Sequence, residues 1–352
     1  MAMILDGTNG VTFNDASLQG AAASPFGLKN KIINGGMDIS QRNTSYTSAN
    51  SENNDDTYVL DRFYILSDGN DVIDVTQTTT VPTGAKYSIG LDVETINKKF
   101  GIAQIIENAN CFDVIGGAVT VSFQAKVSSI TKLNNIKCAI VAWSGTADTV
   151  TSDIISAWGA EGTNPTLIAN ATYENTPVNL NVTTSFATYS VTATVDTAST
   201  SNLILFIWSD VTDTTLGDFL YITNVQLEVG STATPFERRL YNQELANCQR
   251  YFQTIGSQTL TGLQESSTTL SVIIPFYNTM RTNPTCTVIS GRSCAIRNGS
   301  GDATAATPVL SNTTAGSNSV WTNIAGFTSL TVNTPCVSRL TVAEFIAASA
   351  EL

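Results

Sequence analysis

Hydrophobic and polar positions alternate along much of this chain with a period of two. Val119, Val121, Phe123, Ala125 and Val127 are separated by Thr120, Ser122, Gln124 and Lys126, the pattern of a strand with one buried and one wet face. Tyr189, Val191, Ala193 and Val195 repeat it, and Phe219, Tyr221, Thr223, Val225, Leu227 and Val229 repeat it again. Leu203 to Trp208 (LILFIW) is apolar without a break, which predicts a central strand covered on both faces. Helical periodicity is nearly absent from Lys31 to this point. Short strands divided by turns rich in Gly, Asn, Thr and Asp, with no long internal repeat, predict an all-β chain built on an antiparallel jelly-roll sandwich.

The period changes once. Tyr241, Leu245, Cys248 and Phe252 stand four, three and four residues apart, which predicts one short amphipathic helix from about Leu240 to Phe252. The helix has two readings, a spacer packed against the sandwich or one member of a trimeric helical bundle. Strand patterns then return at Ser271 to Tyr277, Thr285 to Ile289, Ser329 to Val332 and Val337 to Val342, with a loop expected over Asn298 to Ser317. Ala343 to Leu352 can close as a strand or a short helix. At the other end, Ile4 to Asn14 holds Asp-Gly and Asn-Gly between two very short strands, which need another sheet or chain to be stable. The predicted organisation is therefore an attachment or trimerisation segment with a linker (1–29), a jelly-roll sandwich (30–238), a helical joint (239–255) and a second, smaller C-terminal β domain (256–352).

Composition narrows the function classes. Of 352 residues only 13% are charged, about half the usual share, while 42% are apolar and Thr, Ser and Asn fill the difference. That is the profile of a β-rich extracellular or virion surface. The net charge is -12, and no Lys or Arg lies between Lys137 and Arg238, where ten acidic residues do. Such a block repels phosphate backbones, so nucleic acid is not an expected partner. All eight lysines precede Cys138, and seven of nine arginines follow Glu237, which marks a boundary near residue 238. No stretch approaches the ~20 apolar residues of a membrane span, and the first residues lack the charge and apolar run of a signal peptide.

The raw material for catalysis is thin. There is no histidine, which removes the usual general base and the commonest transition-metal ligand. Six cysteines show no CxxC spacing and are expected to be buried free thiols, although Cys286 and Cys294 could pair across a hairpin. Asp55 with Asp56, the set Asp68, Asp71 and Asp74, and the set Asp210, Asp213 and Asp218 offer oxygen ligands for calcium, but none has the spacing of a calcium loop. They read first as solvated turns. No catalytic residue, metal or cofactor is assigned, and the chain is expected not to be an enzyme.

Three blocks carry a family resemblance. NKIINGGMDISQRN (Asn30 to Asn43), LDRFYI (Leu60 to Ile65) and ITNVQLEVGSTATPFERRLYNQELANCQRYF (Ile222 to Phe252) resemble a module of tail fibres and other virion structural proteins of tailed bacteriophages, a jelly-roll module like those that bind carbohydrate. The opening ILDGTNGVTFNDASLQ is similar to N-terminal segments of phage fibres, and FYNTMRTNPTCTV resembles the start of their C-terminal β domains. The resemblance implies a homotrimer that docks on other virion proteins through residues 1–29, is assembled in the host cytoplasm and recognises a glycan or protein receptor through its distal β domain. A capsid decoration or tail adaptor with a purely architectural role is the alternative.

The physical reading of the third block is a joint. Gln226 and Glu228 alternate with Val225, Leu227 and Val229 and should point away from the sandwich core, and Pro235 turns the chain out of its strand. Phe236 would then bury its ring, with Arg238, Arg239 and Arg250 meeting Glu237, Glu244 or Asp61; Arg62 belongs to the same joint. For ligand binding the candidates are Trp158, Trp321, Arg292 and Arg297. Both tryptophans stand beside small flexible residues that favour exposure, against the competing reading of rings that cover the core. Trp208, in the fully apolar strand, is expected in the core.

Overall fold

The computed structural model describes residues 28–50, 52–256, 258–298, 301–339 and 344–352, together with the strands Ile4–Asp6, Gly10–Thr12 and Leu18–Gln19. Those first three strands pair antiparallel with one another, Ile4 opposite Thr12 and Val11 opposite Gln19. Residues 20–27, within the segment and linker expected over 1–29, lie outside the described residues.

Two antiparallel sheets form the jelly-roll sandwich. The first has six strands in the order Ala187–Thr194, Ala118–Val127, Phe219–Val229, Ser88–Val93, Ile73–Thr78 and Ser45–Tyr46. The second has five, Ala171–Tyr173, Ile136–Trp143, Asn202–Ser209, Phe100–Ile106 and Tyr64–Ser67. Inward residues of both, among them Val119, Val121, Phe123, Ile102, Ile140 and Leu205, make the central core. The apolar strand Asn202–Ser209 is the middle strand of five and is covered twice, as its sequence predicts. Leu203, Leu205 and Ile207 face the central core, while Ile204, Phe206 and Trp208 face a second apolar layer under Val150, Ile154 and Trp158.

The alternation over Phe219–Val229 is interrupted in the middle. A bulge between Thr223 and Gln226, with Asn224 at φ 51°, inserts an extra residue, so Leu220 and Ile222 face the core before it and Val225 and Leu227 after it. Phe219 and Tyr221, expected inside, stack on each other on the outer face instead. Gln226 and Glu228 do point away from the core, yet they are buried, because the chain passes over them again at Lys29 and Thr234.

The helix is Tyr241–Gln249, shorter than the pattern predicts. Phe252 belongs to the next strand, Phe252–Ile255, which is drawn out of the helix by pairing with Ile346–Ser349. Tyr241 is exposed, and Cys248 is the residue of this helix that is buried. Beyond it, Phe252–Ile255, Ile346–Ser349 and Thr285–Val288 form a three-stranded sheet. A seven-stranded sheet runs Gly301–Ala305, Cys294–Asn298, Pro335–Arg339, Thr259–Gln264, Thr269–Pro275, Ser319–Ala325 and Val309–Ala315. Both share one core that includes Leu270, Ile274, Ile324, Phe327 and Phe345.

Two expectations are corrected in this region. The loop expected over Asn298 to Ser317 contains two strands, since its Thr, Val and Ala residues have neighbours to pair with. The strand expected at Ser329 to Val332 is a turn: Ser329 and Asn333 take left-handed backbone angles, and the Gln264 side chain, not a neighbouring strand, accepts the Thr331 N–H at 2.8 Å. The cysteines are thiols, as expected, all buried except the half-buried Cys286, and the alternative bridge between Cys286 and Cys294 is not formed.

Candidate functional site

The three motif blocks, far apart in sequence, meet at one place between the sandwich, the helix and the C-terminal sheets. Asn30 starts it. Its side chain receives the N–H of Leu227 at 3.0 Å and of Ile32 at 2.9 Å and donates to the Val225 carbonyl at 3.0 Å, standing in for a missing ladder partner. Asn34, at φ 62°, bonds both ways with Ile39 and donates to the Asp61 carbonyl. Gly35 is required by close approach: a Cβ there would lie 2.0 Å from the Val225 oxygen. Asp61, fully buried, receives the Gln41 backbone N–H at 2.6 Å and its carboxamide at 2.7 Å. Burial raises its carboxyl above the ordinary range in spite of Arg42 nearby.

The arginines divide the work differently from the sequence expectation. Arg239 pairs with Glu244 at 3.1 Å and Glu237 at 3.8 Å and donates to the carbonyls of Asn30 and Ile32. Glu237 receives the backbone N–H groups of Leu28, Lys29 and Asn30. Burial works to raise the Glu237 carboxyl, but the Asn30 and Leu28 N–H groups and Arg239 outweigh it and hold it below its ordinary value. Arg238 meets neither acid: it donates to Asn224 at 3.1 Å and lies over the half-buried Phe236 ring at 5.4 Å. Arg250 grips Glu107 of the sandwich through two nitrogens, at 2.6 and 3.1 Å, and Tyr251 donates to the same carboxylate. Arg62 is 1% exposed; it pairs with Glu351, donates to the Ile105 carbonyl at 2.6 Å and lies 3.7 Å over the Tyr251 ring. Among the described residues no arginine pairs with Asp61. Glu107 and Glu351 were missed from sequence, because neither stands near the motifs along the chain.

The ligand-binding candidates separate. Trp158 is buried, not exposed: residues 144–170 fold back over the five-stranded sheet, and its ring meets Phe206 edge-on at 5.9 Å. Arg292 pairs with Glu344 at 3.4 Å in a turn away from the other candidates. Trp321 and Arg297 share the outer face of the seven-stranded sheet. Register places Arg297 beside Val337, Val337 beside Thr261, and Ile273 beside Trp321, one transverse row over five strands. With neighbouring strands about 4.8 Å apart, the row is roughly 19 Å long.

Trp321 is 42% exposed and Ile273 61%. The indole N–H donates to Ser271 Oγ at 2.9 Å, which fixes the ring against its strand. Thr261, Ser271, Val272, Ile273 and Trp321 line a shallow cavity of 250 Å³. The arrangement presents one apolar ring face beside hydroxyl groups on a rigid sheet. Ile273 carried a signal in the sequence: an isoleucine in a strand whose alternate residues Leu270, Val272 and Ile274 already form the buried face.

The acidic sets lie apart from this row. Asp210 is paired with lysines, Asp213 with Lys132 at 2.8 Å, and Asp218 caps the Thr215 N–H at 2.8 Å. Among the described residues no cluster of three or more His, Cys, Asp or Glu side chains is placed to hold a metal ion. Asp55 and Asp56 crowd together. Burial, then Asp55 and Asp153, push the Asp56 carboxyl from its ordinary 3.8 up to about 7, and its Oδ1 is buried with no hydrogen-bond partner within the protein. A carboxyl that holds its proton more tightly when folded supports the fold while protonated, and that support is lost as pH rises from about 4 through about 7. Asp56→Asn keeps a residue tolerant of the left-handed φ of 63° and removes the charge. Denaturant melts are expected to show Asp56→Asn gaining on the wild type steadily from pH 4 to pH 8. A gain that does not change with pH would remove Asp56 as the cause.

No protein-family model matches the sequence, and no curated protein matches it. Among solved structures, the enzymatically active domain of bacteriophage CBA120 tailspike protein 4 aligns with 57% of this chain at 16% identity and a TM-score of 0.33; the chain spans 22% of that protein. A putative sugar binding protein from Bacteroides thetaiotaomicron aligns over 57% of this chain and all of its own length, at 12% identity and TM-score 0.36. A xylan-binding domain from Paenibacillus barcinonensis aligns over 54% of this chain and 94% of its own, at 12% identity and TM-score 0.28.

Proposed function

We propose that this chain is a virion structural protein of a tailed bacteriophage, a homotrimeric tail fibre that docks through residues 1–29 and takes a host-surface glycan on the outer face of its C-terminal β domain. The reading assigns it binding rather than catalysis. The observation that carries it is the row ending at Trp321. An exposed indole, held by its hydrogen bond to Ser271 and flanked by the hydroxyls of Ser271 and Thr261, offers a flat apolar platform with polar groups at its edge. A pyranose ring has the complementary surface, C–H groups on one face and hydroxyls around the rim. The motif residues of the first three blocks serve as the joint that aims this face away from the sandwich.

Trp321→Ala in the full chain is expected to weaken glycan-array and host-cell binding at least about tenfold, or ~1.4 kcal/mol, with the melting temperature unchanged because the ring is half exposed. Undiminished binding would remove this site. One observation favours the architectural alternative, since Ile273, Leu263, Val309 and Val337 are also exposed on the C-terminal sheet and could pack against a neighbouring virion protein. Under that reading Ile273→Asp abolishes incorporation into particles, and Trp321→Ala leaves adsorption of assembled particles intact.

A further inference from the structure

One buried cluster is used neither by the joint nor by the C-terminal row. Lys99, Lys137 and Asp210 stand at the same end of three adjacent strands of the five-stranded sheet, with side chains 1%, 7% and 0% exposed. Asp210 receives both ammonium groups, Lys99 on one oxygen and Lys137 on the other at 2.6 Å. Lys137 Nζ also donates to the side-chain oxygen of Asn164 at 2.8 Å. Asn164 is held from both sides. Lys99 binds the carbonyls of Ala160 at 2.7 Å and Thr163 at 3.0 Å just before it, and Tyr173 donates to the Pro165 carbonyl at 2.8 Å just after it. The cross-strand partner of Lys137 is the buried Trp208.

We propose that Lys137 and Asn164 become joined by an intramolecular isopeptide bond, with Asp210 moving the protons. The three parts of such a reaction are an amine, a carboxamide carbon and a carboxylate touching the amine; here the amine and the carboxylate are shielded from water and the carboxamide is half-buried. A carbonyl bond is about 1.23 Å long, so Asn164 Cγ lies within about 4 Å of Lys137 Nζ. A small turn about the Asn164 Cα–Cβ bond would bring it to the roughly 3–3.5 Å of a reactive approach.

The step balances within the cluster. Lys137 gives a proton to Asp210, and the freed Nζ lone pair attacks Asn164 Cγ as the carbonyl electrons move to oxygen. Asp210 returns the proton to the carboxamide nitrogen, the Cγ–Nδ2 bond breaks as the carbonyl reforms, and ammonia departs. The second proton lost from Nζ passes through Asp210 to that ammonia, so an ammonium ion leaves and Asp210 is a carboxylate again. Electrostatics favours the product. Among the described residues Asp210 is the only carboxylate ion-paired with either lysine, so one of two buried positive charges is unbalanced until it leaves as ammonium. The bond would tie the covering segment around Trp158 to the strand Ile136–Trp143.

The test is the mass of the purified full chain under denaturing conditions, beside Asn164→Ala and Lys137→Met. The wild type is expected to fall short of its sequence mass by one molecule of ammonia, and both variants to show their full sequence masses. Protease digestion of the wild type should yield one branched peptide carrying Lys137 and Asn164. A wild-type chain at full mass, with Lys137 cleaved as a free lysine, overturns the proposal. Asp210→Asn is expected to remain unbridged; a bridge formed in that variant would overturn the role given to Asp210.

Discussion

Arg62→Ala is expected to destabilise the protein by about 3–5 kcal/mol, the usual loss when one partner of a buried ion pair is removed. The guanidinium is almost fully enclosed, and both terminal nitrogens and its plane are engaged, while Nε has no hydrogen-bond partner within the protein. One nitrogen pairs with Glu351, another donates to the Ile105 carbonyl, and the plane lies on the Tyr251 ring. Truncation leaves the Ile105 oxygen without that donor and Glu351 with Arg42 alone, at 3.0 Å. Arg42 itself rests over Phe252 at 3.7 Å and Tyr58 at 5.4 Å, so it is not free to move into the gap. Glu351 and Leu352 follow the last strand of the C-terminal domain, and Tyr58 donates to the Leu352 carbonyl at 2.8 Å. The loss therefore falls on the connection between the two β domains. Urea unfolding followed by peptide-resolved hydrogen exchange should show one transition in the wild type and two in the variant. A single transition shifted by less than about 1 kcal/mol, the scale of a surface ion pair, would mean that the joint does not couple the domains.

Phe206→Ala is expected to cost about 3–5 kcal/mol, as large-to-small changes at buried aromatic positions do. The ring is fully buried, stacked on Trp208 with centroids 4.4 Å apart and meeting Trp158 edge-on. Its removal opens a void in the second apolar layer, not in the central core. The covering segment around Trp158 should loosen first, with red-shifted tryptophan emission and faster exchange over residues 144–170. If only the strand Asn202–Ser209 and its neighbours exchange faster, the covering segment does not depend on that layer. Asn164 lies within the same segment, so an isopeptide bond to Lys137 would hold it in place and confine the loosening to its other end.

Much of this architecture was legible in the sequence because burial in a sheet leaves a periodic mark. The alternation of Val119 to Val127 picks out the residues that face the central core, and the unbroken run Leu203 to Trp208 a strand covered on both faces, although Thr120 and Ser122 of the expected wet face are buried as well. The reading failed where a single backbone conformation changes the parity. Asn224 at φ 51° resets the alternation, and no side-chain pattern announces a bulge. It failed again where polar residues are buried by a distant segment. Gln226 and Glu228 have the look of a wet face, but Thr234 and Lys29 return over them and satisfy their hydrogen bonds.

The candidate site was legible only in fragments. Trp158 and Trp321 have similar neighbours along the chain, Gly and Ala with few charges, yet one is covered and the other exposed. The difference is whether a segment remote in sequence lies over the ring. Likewise Arg297 and Trp321 acquire a common row only through strand register, and Arg292, five residues from Arg297, is taken out of it by Glu344.

By itself, then, the sequence determined the all-β class, the break between two β regions, the single helix between them and the identity of the strand covered on both faces. Local periodicity and turn chemistry decide those properties, and both are written in consecutive residues. The tertiary structure alone decided which polar groups meet: Arg62 with Glu351, Arg250 with Glu107, and Lys99 and Lys137 with Asp210. These partners lie 289, 143, 111 and 73 positions apart in the chain numbering. A charge carries no mark of its partner, and only the closing of the sheets brings the two within reach.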